Sequence, residues 1–167
     1  MRNNKVKIVI DTNVFINGLI FPFEYKYDKD IINILFNLID EEKIELVFSQ
    51  DTIGELVYIF KNKVKHYIAK EEWEMYMCQI IIIFLRAYSV NTTYTKTPRC
   101  IDPNDNMFLK CAKQSYAKYL ISNDLKSKMS KVKSPYTTVL TSKEFLNLYN
   151  RINQQSKDES AAEKDEE

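Results

Sequence analysis

Five short runs of β-branched and aromatic residues, at 6–10, 44–48, 88–90, 118–121 and 137–140, recur along the chain with helix-periodic stretches between them. Strands that alternate with helices pair in parallel, because each helical crossover returns the chain to the same end of the sheet. Residues 30–41 place Ile31, Ile34, Leu35 and Leu38 on one stripe. Residues 50–65 place Ile53, Leu56, Val57, Phe60 and Val64 on one face, behind Ser49 as an N-cap. Residues 71–87 are apolar nearly all round, which predicts a helix buried on more than one side. Asp102-Pro103 starts a further helix, with Asp as the cap and Pro at the first helical position. Thr141 and Glu144 have capping-box spacing ahead of a last helix that is expected to end near residue 152. The expected fold class is α/β with a parallel sheet.

A chain of 167 residues is long enough to bury about 70% of its extended surface as one unit. Residues 1–150 are read as that domain and 151–167 as an acidic tail, expected to be disordered from 153 because it lacks large apolar groups. The net charge of +1 excludes a polycation that holds nucleic acid by charge alone, but the tail carries six acids and three bases. Residues 1–150 therefore have 21 basic and 17 acidic groups, a mildly basic balance that suits a polyanionic partner. Cys78, Cys100 and Cys111 are odd in number and show neither zinc-binding nor disulfide spacing. Only two glycines occur, Gly18 and Gly54, so phosphate loops of the glycine-rich kind are excluded. The first apolar run is short and broken by Asp11, and 80–85 is too short to span a bilayer, so a cytoplasmic protein without membrane partners is expected.

Within this frame the acids are placed unusually. Asp11 ends the run Val6–Ile10, Glu55 follows the second run by one helical turn, Asp105 sits in the turn opened by Asp102-Pro103, and Asp124 follows Tyr119-Leu120-Ile121. Each has an ordinary reading: Asp11 as a helix cap shared with Thr12 or Asn13, Asp105 as an acid on a helix macrodipole, Glu55 as a solvated glutamate, Asp124 as a turn residue. Together they fall at one edge of a parallel sheet, where ligands bind near the reversal of strand order. Acids gathered there repel one another unless a cation is present, and all-oxygen ligation suits Mg²⁺ or Mn²⁺. The chemistry that uses such a set is phosphodiester hydrolysis.

The segments Ile10-Asp11-Thr12-Asn13-Val14, Ser49 to Glu55-Leu56, Asp102-Pro103-Asn104-Asp105-Asn106 with Phe108-Leu109 and Ala112, and Tyr119-Leu120-Ile121-Ser122-Asn123-Asp124-Leu125 resemble PIN-domain proteins. The likeness runs over roughly 6–148 and is greatest to bacterial VapC-like toxin components, whose closing helix Thr141–Leu146 also resembles. It implies a three-layer α/β/α PIN-like fold with sheet order 3-2-1-4-5, and a Mg²⁺- or Mn²⁺-dependent endoribonuclease that is the toxin of a toxin–antitoxin pair. It implies further that Asp11, Glu55 and Asp105 are the metal ligands and catalytic acids, that Asp124 completes the set, and that Asn13 and Ser122 support the carboxylates by hydrogen bonds. Asn123 stands where glycine is frequent in the family, and Asn tolerates the left-handed geometry such a turn needs.

Lys126, Lys128, Lys131 and Lys133 follow Asp124 and are candidates to hold RNA phosphates, if they are not simply a solvated loop. Lys61, Lys63 and Lys65 invite the same reading from further away. His66 reads as a surface residue rather than a base. The apolar excess on 30–41 and 50–60, with Phe21-Pro22-Phe23, suits a core, a homodimer contact or an antitoxin groove. Two alternatives stand beside the nuclease: a catalytically silent PIN-like module that binds RNA or protein, and a phosphatase or phosphotransfer domain. The last is disfavoured because position 13 is Asn, not a second acid.

Overall fold

The structure, a computed structural model, describes residues 5–21, 26–124, 129–132 and 134–162. The strands β1 (Val6–Ile10), β2 (Ile44–Ser49), β3 (Tyr88–Val90), β4 (Tyr119–Ile121) and β5 (Thr138–Leu140) form a sheet in the order β3-β2-β1-β4-β5, parallel throughout. Helices α1 (Thr12–Ile20), α2 (Lys26–Asp40), α3 (Gln50–Asn62), α4 (Lys70–Arg86), α5 (Asn106–Ser115) and α6 (Ser142–Ala162) lie on its two faces.

Alternation along the strands sorts the core into two layers. Ile8, Ile10, Leu46, Phe48 and Ile121 join the layer that holds Phe15, Ile31, Leu35, Leu56, Phe60, Ile80 and Phe145. Val9, Val47 and Leu120 face the other way, onto Phe108, Leu109, Cys111 and Ala112 of α5. Strand order reverses at β1, which pairs β2 through Val6↔Ile44 and β4 through Ile10↔Ile121. The carboxyl ends of β1, β2 and β4 therefore lie side by side, each feeding a turn or a helix start.

Three details differ from the expectations above. Helix α4 buries one side only: Ile80 and Ile83 are in the core, while Met75, Ile81, Ile82 and Leu85 are exposed, Leu85 at 80%. It flanks β3, the edge strand, and no described element covers its outer face. Helix α6 runs on to Ala162 instead of ending near 152, so the polar stretch from 153 continues a helix as far as the described residues go. Its Gln, Lys, Glu and Ala are good helix formers, and extending an anchored helix needs no apolar face. The turn at Asp102-Pro103 is a single 3-10 turn, Pro103–Asp105, and α5 starts behind it at Asn106.

One glycine sets the spacing of two helices. A Cβ on Gly18 would overlap the main-chain carbonyl oxygen of Asp28 and the side chain of Ile32, so α2 packs against α1 only because position 18 has none. Gly18→Ala is expected to force the helices apart and to cost about 1–3 kcal/mol, which lowers the melting temperature by several degrees. A thermal melt equal to that of the wild type would contradict this packing.

Candidate functional site

Asp11 is the first residue past β1 and is 3% exposed. Its N–H donates to the carbonyl of Ile121 at 2.9 Å, which ties it to the end of β4. Its carboxylate caps α1, with Oδ1 accepting from the Asn13 N–H at 3.0 Å, while Oδ2 accepts from the Ser122 hydroxyl at 2.7 Å. Capping and a site role are compatible here, because each carboxylate oxygen has two lone-pair directions. Burial pushes this carboxyl above the usual range; the Ser122 and Asn13 bonds oppose that, and the charges of Asp124 and Asp28 add to it.

Glu55 lies one turn into α3, whose start is fixed by a capping box between Ser49 and Thr52. The opposite placement from the Leu56 and Phe60 stripe does not leave it in open solvent. It is half-buried, and its Oε2 accepts from the Thr12 hydroxyl at 2.8 Å. Burial raises this carboxyl too, Thr12 opposes the rise, and the charges of Asp11 and Asp102 reinforce it. Thr12 is a contact that sequence reading offered only as a helix cap. Nothing local in the sequence shows that a Thr at the first turn of α1 reaches α3.

Asp102 is exposed and caps the 3-10 turn, accepting from the Asn104 N–H at 2.9 Å. Asp105 stands at the cap position of α5 but makes no side-chain cap bond to it, so its carboxylate is not committed to the helix end. The approach to this turn is anchored by Asn106, whose Oδ1 accepts from the Cys100 N–H at 2.9 Å. The Cys100 thiol is raised by burial first and then by the charges of Asp105, Asp102 and Asp124. Asp124 follows β4, with its N–H donating to Ser122 Oγ at 3.1 Å. Ser122 thus stands between two of the acids, donating to one and accepting from the main chain of the other.

Asp124 acts on Asp11, and Asp11 and Asp102 act on Glu55, while the charge of Asp105 acts on the Cys100 thiol, which Asp102 and Asp124 also raise. Among the described residues no three His, Cys, Asp or Glu side chains form a ready-made metal cluster. The donor set is nonetheless of the right chemistry for a hard divalent ion: carboxylate oxygens, two of them raised by burial and by mutual repulsion. Asn13 supports Asp11 through its main chain, and its side chain is exposed. Lys131 is exposed in the 3-10 turn Met129–Lys131, while Lys126, Lys128 and Lys133 lie outside the described residues. Lys63, which the sequence places farther from the acids, lowers the Glu55 carboxyl by its charge. His66 is exposed, in the 3-10 turn Val64–His66.

The sequence model of the PIN domain matches residues 7–126. The chain belongs to the PIN-domain family. An uncharacterized protein of Methanocaldococcus jannaschii is 30% identical over 159 residues, which span 91% of this chain and 97% of that protein. Among solved structures, VapBC2 from Rickettsia felis, bound to a DNA fragment from its promoter, is similar in fold, with a TM-score of 0.52 and 17% identity over 81% of this chain and 98% of that chain. A solved protein from Pyrobaculum aerophilum aligns with a TM-score of 0.48 and 12% identity, over 85% of this chain and 87% of that one. The sheet order of this PIN domain is the one its motifs implied. PIN domains are generally nucleases, and the family generally uses divalent metal ions.

The raised Asp11 carboxyl has a consequence for stability. The folded chain holds the Asp11 proton at pH values where the unfolded chain, at about 3.9, has lost it. Asp11 therefore favours the fold at low pH, and this contribution is lost as pH rises through its raised value. The wild type without added metal is therefore expected to lose thermal stability as pH rises through that value, and Asp11→Asn to lose less over the same range, whatever the lost acceptor costs at every pH; melts taken across the range check this. A difference between the two proteins that does not change with pH would contradict the assignment.

Proposed function

We propose that this PIN domain is a Mg²⁺- or Mn²⁺-dependent endoribonuclease, with Asp11, Glu55, Asp105 and Asp124 as the carboxylates that hold the cation. The observation that carries the proposal is geometric: Asp11, 3% exposed at the end of β1, accepts from the Ser122 hydroxyl that also receives the Asp124 N–H, and Glu55 accepts from Thr12, the residue next to Asp11, so that the charge of Asp124 acts on Asp11 and that of Asp11 on Glu55. A folded chain keeps such repulsion where a bound cation relieves it. When bound, a divalent cation supplies an activated water and stabilises the leaving oxygen of a phosphodiester. The chain's own residues do the remaining work. Ser122 and the Asn13 N–H keep the Asp11 carboxylate in one orientation, and Thr12 does the same for Glu55. Lys63, Lys131 and the lysines at 126, 128 and 133 supply positive charge for the flanking RNA phosphates.

The reading extends to a role as the toxin of a toxin–antitoxin pair, located in the cytoplasm. VapBC2, the complex whose fold this chain shares, supports a protein partner of that kind. So does the exposed apolar face of α4, beside a cleft of about 500 Å³ whose lining mixes Phe36, Ile39, Ile82 and Ile83 with the charged Lys5, Asp40, Glu42 and Arg86. Among the described residues no helix is long and apolar enough to cross a membrane.

Two measurements test the activity. Purified wild type is expected to cleave single-stranded RNA with Mg²⁺ or Mn²⁺ and not with EDTA, and Asp11→Asn or Asp105→Asn to lose at least about 100-fold in rate. In a thermal melt, Mn²⁺ at a hundred times its dissociation constant is expected to add about 2.7 kcal/mol to the wild type and nothing comparable to Asp11→Asn. Metal binding with no turnover on any RNA would favour the silent-module reading. Cleavage by Asp11→Asn at the wild-type rate would refute the assignment.

A further inference from the structure

A second buried carboxylate stands behind the acidic edge. Asp28, in the first turn of α2, is 2% exposed, and an aspartate so enclosed depends on hydrogen-bond donors. Its Oδ1 accepts from the Ser142 hydroxyl at 2.5 Å and from Asn123 Nδ2 at 2.6 Å, and its Oδ2 from Asn17 Nδ2 at 3.4 Å. The donors come from α1, from the turn after β4 and from the start of α6, and Gly18 is what lets α2 approach closely enough to meet them.

Asn123 is the centre of this arrangement. Besides reaching Asp28, its Nδ2 lies 2.9 Å from Ser142 Oγ, and its Oδ1 accepts from the Ser142 N–H at 2.9 Å. The residues in the described chain with positive φ, other than glycine, are Glu42 and Tyr116, so Asn123 is not in the left-handed conformation that its place in the sequence suggested. It is present for its side chain, which a glycine lacks. Its two neighbours face the acids: Ser122 donates to Asp11, and Asp124 is the fourth acid of the proposed site. Three consecutive residues are thus tied in turn to Asp11, to Asp28 with Ser142, and to the site itself.

We infer that Asp28 is a positioning residue for Asp124, acting through Asn123 and Ser142 to fix the turn that presents the Asp124 carboxylate. The inference rests on the proposed cation site. It assigns the network a role beyond anchoring α6, because the same amide that receives the Ser142 N–H also sets the residue preceding Asp124.

The test uses Asn123→Gly, which changes no charge and replaces an exposed residue, together with Asp28→Asn, in the full chain and well below the melting temperature. Mn²⁺ affinity is read by calorimetric titration, and kcat and KM on a single-stranded RNA. Asn123→Gly is expected to weaken Mn²⁺ binding and to lower kcat by about tenfold or more, the usual scale for groups that orient metal ligands, with KM for RNA little changed. Asp28→Asn should shift both in the same direction, and the double variant should be no worse than the poorer single one, since both break one linkage. Variants that melt earlier but bind Mn²⁺ and turn over like the wild type would overturn the positioning role and leave a purely structural anchor. Asp124→Asn serves as the reference. If it is impaired and Asn123→Gly is not, positioning alone fails; if Asp124→Asn itself binds and cleaves like the wild type, the cation-site reading fails and the positioning role with it.

Discussion

The buried carboxylate of Asp11 is the constraint on which the rest of this structure depends. A charge at the end of the central strand is costly to desolvate, and the fold meets that cost with two hydrogen bonds from different elements. One comes from the first turn of α1 and fixes how the chain leaves β1. The other comes from Ser122 and fixes how it leaves β4. The geometry of both exits follows from satisfying one side chain, which is why the strand ends that carry acids stay in register with each other.

The hydrogen bonds do not remove the problem, because the neighbouring groups are acids as well. Asp124 and Asp28 raise Asp11, and Asp11 in turn raises Glu55, whose partner Thr12 is the residue next to Asp11. The chain therefore holds like charges close together at one edge of the sheet. Two partly buried polar linkages, Thr12 to Glu55 and Asp28 to Asn123 and Ser142, hold these side chains in place. Such order is what a site needs if its ligands are to be in place before the ion arrives. The exposed apolar face of α4 lies apart from these groups, with Ile82 at the rim of the cleft shared with α2 and β2.

Much of the frame was legible in the sequence. The strands are short, β-branched and bounded by polar turns, so each run marks its strand to within a residue, and the order 3-2-1-4-5 follows from the PIN-domain motifs. Helix starts that depend on a local cap, such as Ser49 with Thr52 and Thr141 with Glu144, were readable for the same reason: both partners lie within four residues. What was not legible depends on distant pairs. An apolar pattern all round α4 cannot say whether a neighbour covers the second face. Thr12 reaches Glu55 across 43 positions, and Asp28 reaches Ser142 across 114, and neither leaves a trace in spacing. Asn123 shows the same limit: its place in a turn suggests backbone tolerance, while its side chain closes a network that exists only in three dimensions. The run of polar residues past 152 lacked an apolar face, which says nothing against extending a helix already anchored by Phe145 and Leu146.

The most direct test of the account is the titration of the Asp11 carboxyl carbon by NMR in the metal-free protein and again with Mg²⁺. A site built to hold a cation has Asp11 titrating above the usual aspartate range without metal, and well below its metal-free value once Mg²⁺ is present. An Asp11 that titrates as an ordinary aspartate, unmoved by Mg²⁺, would contradict it.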